Sequence, residues 1–206
     1  MTRDAHPYHR PGLRSALIEA GLKRARKGGA DALGLREITR SVGVTPNAAY
    51  RHFADRRELV LAVAARAQDK LAQAMLDRMQ EDVADQTDPA AHAVQQLRGV
   101  GLGYIHFALS EPGWFELAIL LQEEPGGESE ARVPPPYQLL LAALDGMVEA
   151  GALTPGRRVD AEWVCWSGVH GFADLATRGP LRRQDRAVVD KLAVHVVNTV
   201  ISELRA

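Results

Sequence analysis

The chain is poor in several things at once. It has one cysteine, Cys165, in 206 residues, which excludes an internal disulfide and any zinc site built from several cysteines of one chain. Aromatic residues make up only 5%. No apolar run approaches the ~20 residues a bilayer span needs, and the polar start MTRDAHPYHR is not the pattern of a secretory signal. A cytoplasmic location is therefore expected, without membrane contact. No segment alternates convincingly between apolar and polar residues, and no internal repeat is visible, so sheets and solenoids are not expected. P-loop, nucleophile-elbow and dinucleotide fingerprints are all missing. Charge of one sign is also lacking: the formal net is −1, which taken alone argues against nucleic acid.

The distribution of charge argues the other way. Residues 1–60 carry 12 Lys+Arg against 6 Asp+Glu, and residues 61–206 carry 13 against 20. A basic head on an acidic body is the footprint of a small DNA-binding module attached to something else. The composition is 46% apolar and leans on Ala, Leu and Val, which suits helices.

The stretch that explains the head is LREITRSVGVTPNAAYRHF, residues 35–53. Leu35, Ile38 and Val42 recur at helical spacing and predict a short helix over Leu35–Val42. Gly43 follows where a helix end needs φ > 0. Thr45 is placed to cap a second helix, with Pro46 at its first position. That second helix is expected over Pro46–Phe53, with Ala49 and Phe53 turned inward. Two helices joined by a tight glycine turn predict a helix-turn-helix, whose second helix fits a DNA major groove. Its outward residues suit the task. Asn47 can pair with adenine and Arg51 with guanine, while Tyr50 and His52 can hold phosphates. The same residues would also serve as the wet corner of an ordinary helical bundle.

Around this pair the chain reads as nine helices. The first is expected over Pro11–Lys27, after a loose arm at Met1–Arg10, and is stopped by Gly28-Gly29. A fourth, capped by Asp55 with Glu58 closing a capping box, runs to about Ala84. After a linker at Asp85–Pro89 come Ala90–Ser110 and, past the interruption Glu111-Pro112-Gly113, Trp114–Gln122. Glu123–Pro136 reads as loop. Tyr137–Ala150 is the seventh helix; the eighth is capped by Asp160 and ended by Gly179-Pro180. The ninth covers Asp185–Leu204. The class is all-α, with a three-helix head over 1–54 and a helical body over 55–206.

The run GGADALGLREITRSVGVTPNAAYRHFADRRELVLAV resembles the N-terminal DNA-binding domain of the tetracycline-repressor (TetR) family of bacterial regulators. Gly29, Leu35/Ile38, Gly43, Tyr50-x-His52-Phe53 and Asp55-Arg56-x-x-Leu59 agree together over about residues 12–65. The resemblance implies a nine-helix repressor fold and a contact set of Arg36, Thr45, Pro46, Asn47, Ala49, Tyr50, Arg51, His52 and Arg56 on double-stranded DNA. Two departures stand out. Arg56 replaces the family's usual lysine, keeping a phosphate-facing charge, and Gly34 replaces the usual Ser/Thr cap of the second helix. Trp166-x-x-x-His170-Gly171, preceded by FALSEPGWFELAI, resembles a subgroup of TetR-type ligand-binding domains marked by a Trp…His-Gly signature.

For the body, the aromatic and sulfur-bearing residues suggest a cavity for a small apolar or aromatic effector. Tyr104, Phe107, Trp114, Phe115, Tyr137, Leu141, Met147, Trp163 and Trp166 are its candidate lining, with His106 and His170 as candidate polar anchors. Taken singly, each also fits ordinary core. A homodimer is expected through the last two helices, as in the family, with Phe172, Leu175, Val188, Leu192, His195, Val196, Thr199 and Val200 in the interface. Two heads on a two-fold axis would then read a palindromic site. No metal or cofactor is expected. His6 and His9 lack further ligands close in sequence, and Cys165, with no basic neighbour, reads as an inert core thiol.

Overall fold

The computed structural model describes residues 12–83, 87–120 and 133–206. The expected arm, the linker around Asp85 and most of the loop before Pro136 lie outside the described residues. Ten α-helices follow one another: α1 (Leu13–Gly28), α2 (Leu35–Val42), α3 (Pro46–Ala49), α4 (Arg56–Val83), α5 (Pro89–Ser110), α6 (Pro112–Leu120), α7 (Pro135–Glu149), α8 (Pro155–Arg158), α9 (Ala161–Thr177) and α10 (Arg186–Arg205). Two 3-10 turns, Gly29–Ala32 and Pro180–Arg183, complete the order, and no strand occurs among the described residues. The helix beyond the nine expected is α8. At one turn it is too short to leave a 3.6-residue period in the sequence, and it is started by Thr154, whose hydroxyl accepts from the Arg157 amide at 3.4 Å.

In the head, α1, α2 and the start of α4 close over Leu17, Leu22, Leu33, Ile38, Phe53, Leu59 and Val63, all almost fully buried. Gly43 ends α2 at φ 74 and hands its amide to Arg40 O and Thr39 O; that left-handed conformation is nearly free of strain only for glycine. Asp55 accepts from the Glu58 amide at 2.8 Å. Glu58 reaches back to the Ala54 amide at 2.6 Å, one residue earlier than the usual capping box, and the pair still satisfies two orphan donors. Asp88 caps α5 by accepting from Ala90 and Ala91, a cap that the sequence reading placed inside a linker.

The α4 rod is ~42 Å long at ~1.5 Å per residue and belongs to both parts. Its first turns pack on α1, its later turns on α5, α6 and α7. Gly99 and Gly103, one turn apart on α5, face the α4 backbone at Met79 and Met75. A side chain at either would run into main chain, so the two helices lie closer than larger residues permit. Gln68 is buried and donates its amide to Ala118 O at 2.9 Å, tying α4 to α6. The α9 and α10 helices form an antiparallel pair against α5, where Gly101 lies under Val197 and Val169.

Candidate functional site

The recognition segment is shorter than the expected Pro46–Phe53. Regular α-helix stops at Ala49, after which the His52 amide bonds Ala49 O at 2.9 Å and the Phe53 amide bonds the same oxygen at 3.0 Å. The chain tightens there because Phe53 must dive into the head core, where it is 1% exposed. Thr45 stands at the N-cap position, but its side chain makes no cap hydrogen bond; the first turn is set by Pro46 and the Ala48 amide on Thr45 O. Thr45, Pro46, Asn47, Tyr50 and Arg51 all face outward, with Arg36 exposed on α2 beside them, and His52 is half-buried. Tyr50, a large ring left 54% exposed, stands out on this face.

One member of the expected contact set, Ala49, is corrected, and a second, Arg56, is exposed but also has partners within its own chain. Ala49 is wholly buried, because the turn that exposes Asn47 and Tyr50 points it at the core, so it has no surface to offer a base. Arg56 is engaged within the head: Nε donates to Leu33 O and Nη2 to Ala30 O, both at 3.0 Å. Its guanidinium secures the turn before α2, the place where Gly34 supplies no side-chain cap.

In the body, a small cavity of about 30 Å³ lies between α4, α5, α7, α9 and α10, lined by Tyr104 and Trp166 together with Met75, Leu97, Val100, Gly101, Leu140, Cys165, Val169, Val197, Val200 and Ile201. That is room for one or two waters. Beside it the rings of Tyr104, Phe115, Trp166 and His170 meet at 5.2 to 6.4 Å, Trp166 stacked on His170 and the other pairs edge-on or tilted. Tyr104 OH lies 2.9 Å from His170 Nδ1. Burial pushes the Tyr104 phenol well above its ordinary range, so it stays protonated; which partner donates is set by the tautomer of His170.

Residues 17–63 match the profile described as bacterial regulatory proteins of the tetR family, and residues 97–200, about half of the chain, match the tetracyclin repressor-like C-terminal domain. The chain belongs to the tetracycline-repressor family. Among solved structures it is similar to a protein with unknown function from Rhodococcus sp. RHA1 (26% identity, 98% of this chain and 100% of that one, TM-score 0.70). It also shares its fold with a TetR variant from Acinetobacter baumannii AYE in complex with minocycline (19%, 93% and 97%, TM-score 0.59). A third is the regulator FadR from Bacillus subtilis in complex with stearoyl-CoA (18%, 93% and 97%, TM-score 0.58). No curated protein matches.

Within this TetR body the other expected cavity residues sort into separate places. Met147 is fully buried core and Leu141 half-buried on α7; neither lines the cavity. Phe107 and Trp114 are not there either. Their rings stack 6.5 Å apart, and Trp114 belongs to a joint between head and body. Its indole N–H donates to Leu22 O of α1 at 2.7 Å, and its ring lies under Arg26 at 5.1 Å and Lys70 at 5.4 Å. Arg26 also forms a two-pronged bond to Glu111 at 2.5 and 2.6 Å. Sequence reasoning saw in Glu111-Pro112-Gly113 only an interruption, because the partners are some 85 residues away. The cavity's aliphatic lining was equally hidden, since Val100 or Ile201 looks like any core residue. His106 lies 3.7 Å from Asp190 and is not among the cavity residues.

The outer face of α9 and α10 carries Val164, Leu175, Val188 and Leu192, each 37 to 48% exposed. His195 and Thr199 are exposed with them, Val196 and Val200 are half-buried, and Gly171 leaves open space at its Cβ. Phe172 is a correction: it is 6% exposed within its own chain, one residue off the outward stripe. Asp160 stands at the N-cap position of α9 as expected, but in the left-handed region at φ 60, and its side chain makes no cap bond.

Cys165 is buried, and burial first, then Glu162, pushes its thiol up to about 11. A folded pKa above the ordinary 9.0 means that the folded state keeps the proton longer. This stabilisation is complete below pH 9 and is lost as pH rises toward 11. The Cys165→Ala variant is therefore expected to lose up to about 2–3 kcal/mol less stability than the parent between pH 9 and 11, measured by urea unfolding across that range.

Proposed function

We propose that the protein is a homodimeric transcriptional repressor that holds a palindromic operator through two heads and releases it on binding a small apolar or aromatic effector. The observation that carries this reading is the outward row Asn47, Tyr50 and Arg51, set on a short rod whose inner side is sealed by Ala49 and Phe53. A polar row on a basic head is what major-groove reading requires. In this reading residues 1–54 form the head and 55–206 the body, Thr45 and His52 hold phosphates, and Asn47 and Arg51 meet bases. Arg36 supplies a flanking positive charge. The exposed stripe on α9 and α10 pairs the subunits.

The cavity, small as it is, opens for the effector, and the joint at Trp114 passes the change to the head. A ligand preference of ~2–3 kcal/mol between the two head spacings lowers operator occupancy roughly 30- to 150-fold. No catalytic role is proposed for any residue, and the protein is placed in the cytoplasm with its DNA.

Gel-shift and anisotropy measurements with the DNA upstream of its own gene and of a divergent neighbour test the reading. Specific binding is expected, with Asn47→Ala and Arg51→Ala each costing about 1–3 kcal/mol on the operator while leaving the melting curve unchanged. Binding that is equal on operator and random DNA would sink it.

A further inference from the structure

We infer that a run of aromatic rings from Trp163 to Tyr104 is a binding channel for a flat, uncharged aromatic molecule; this rests on the effector reading above and assigns that effector a route and a chemical class. Trp163, on the first turn of α9, is 58% exposed. Its ring lies 6.1 Å from Tyr137 of α7, and Tyr137 lies 5.7 Å from Trp166. Trp166 meets Tyr104 at 5.3 Å, and both line the cavity, where Tyr104 is 1% exposed. The rings thus descend without a break from water to core, each within the 4.5–7 Å range where aromatic pairs attract.

An indole left mostly in water contributes little to folding of the isolated chain, whereas at the mouth of a channel it offers a first stacking surface. Trp163 and Tyr137 stand on different helices, so a planar molecule can separate them by side-chain rotation without moving backbone. The cavity itself must widen, and Tyr137 and Trp166 are half-buried rather than locked.

Charge selection follows from the lining. None of the cavity residues is charged. The charges nearest the mouth are spent on each other, Arg158 holding Asp145 and Glu162 at 2.7 Å each. Among the described residues, an ionised ligand would leave water at Trp163 and meet an uncharged lining at the inner end of the path. A neutral one carrying a single polar atom would find the Tyr104–His170 pair. The neutral imidazole of His170 has one donor and one acceptor nitrogen, and with Nδ1 facing the Tyr104 hydroxyl Nε2 is left to meet that polar atom.

Two dyes of the same ring skeleton test this on the full chain: N-phenyl-1-naphthylamine, which is neutral, and 8-anilinonaphthalene-1-sulfonate, which carries a sulfonate. Saturable binding of the neutral dye is expected, at least tenfold tighter than the anion. Trp163→Ala and Tyr137→Ser should each weaken it at least fivefold, with melting curves and sedimentation unchanged; Trp163→Phe should restore it. Equal affinity for the two dyes, or unchanged neutral-dye affinity in Trp163→Ala, would overturn the channel. So would a Trp163→Ala protein that changes oligomeric state yet binds the dye as before, since the ring would then be a subunit contact. Operator binding is read in the same samples: specific DNA binding without dye uptake ends the channel and spares the regulator, and dye uptake without DNA binding does the reverse.

Discussion

Replacing Gly113 with alanine is expected to lower the unfolding temperature by roughly 6–12 °C. Gly113 opens α6 directly against the end of α1, and a Cβ there would sit closer to the carbonyl oxygens of Ala25 and Arg26 than real Cβ atoms come. Those atoms are backbone, and they cannot rotate aside as a side chain does. Overpacking of this kind costs about 3 kcal/mol, at ~2–4 °C per kcal/mol for a chain of this size. Gly146 is the control. It too lies inside a helix, yet nothing stands within 4 Å of its would-be Cβ, so Gly146→Ala should stabilise by about 0.4–1 kcal/mol. Differential scanning calorimetry reads both; equal melting temperatures for the two variants would show that the joint is looser than described.

Placing glutamate at both Leu175 and Leu192 should split the proposed dimer and weaken operator binding at least ~100-fold, the loss of linkage between two half-site contacts. Both side chains are well exposed in the single chain, 46% and 37%, so the folded subunit itself should change by no more than about 0.5 kcal/mol. Sedimentation velocity and anisotropy on a two-half-site duplex measure the two consequences. A double variant that remains dimeric would place the subunit contact elsewhere.

Much of the molecule was legible because its signals are local. Helix spacing, the Gly43 turn, Pro46 at the start of the recognition segment and the Asp55–Glu58 exchange all act within a few residues, and each lies where expected. What escaped depends on partners far along the chain. Trp114 looked like cavity lining because aromatic content alone cannot say which neighbour a ring will meet, and its neighbours turn out to be Leu22, Arg26 and Lys70. The outward stripe of α10 was readable from periodicity, yet Phe172 on α9 was assigned to the wrong side, since one residue is a rotation of ~100° around a helix.

Arg56 and Gly34 teach the same lesson. In sequence they are two unrelated departures from the family pattern. In space the guanidinium of one fastens the two carbonyls just ahead of the other. A lysine ammonium is a single point charge without the planar fork that spans both oxygens, so the arginine ties down this turn in a way a lysine would not.

The shared rod α4 has a mechanical corollary. Because its far portion is clamped to α5 and to α6 through Gln68, while its near portion is embedded in the head, it works as a crowbar with its fulcrum between them. About a fulcrum near Gln68, the ~18 Å of rod back to its first residue turns a tilt of ~6° into a sweep of about 2 Å at the tip, which in the proposed reading is enough to pull a guanidinium out of reach of a base edge whose hydrogen bonds tolerate a few tenths of an ångström.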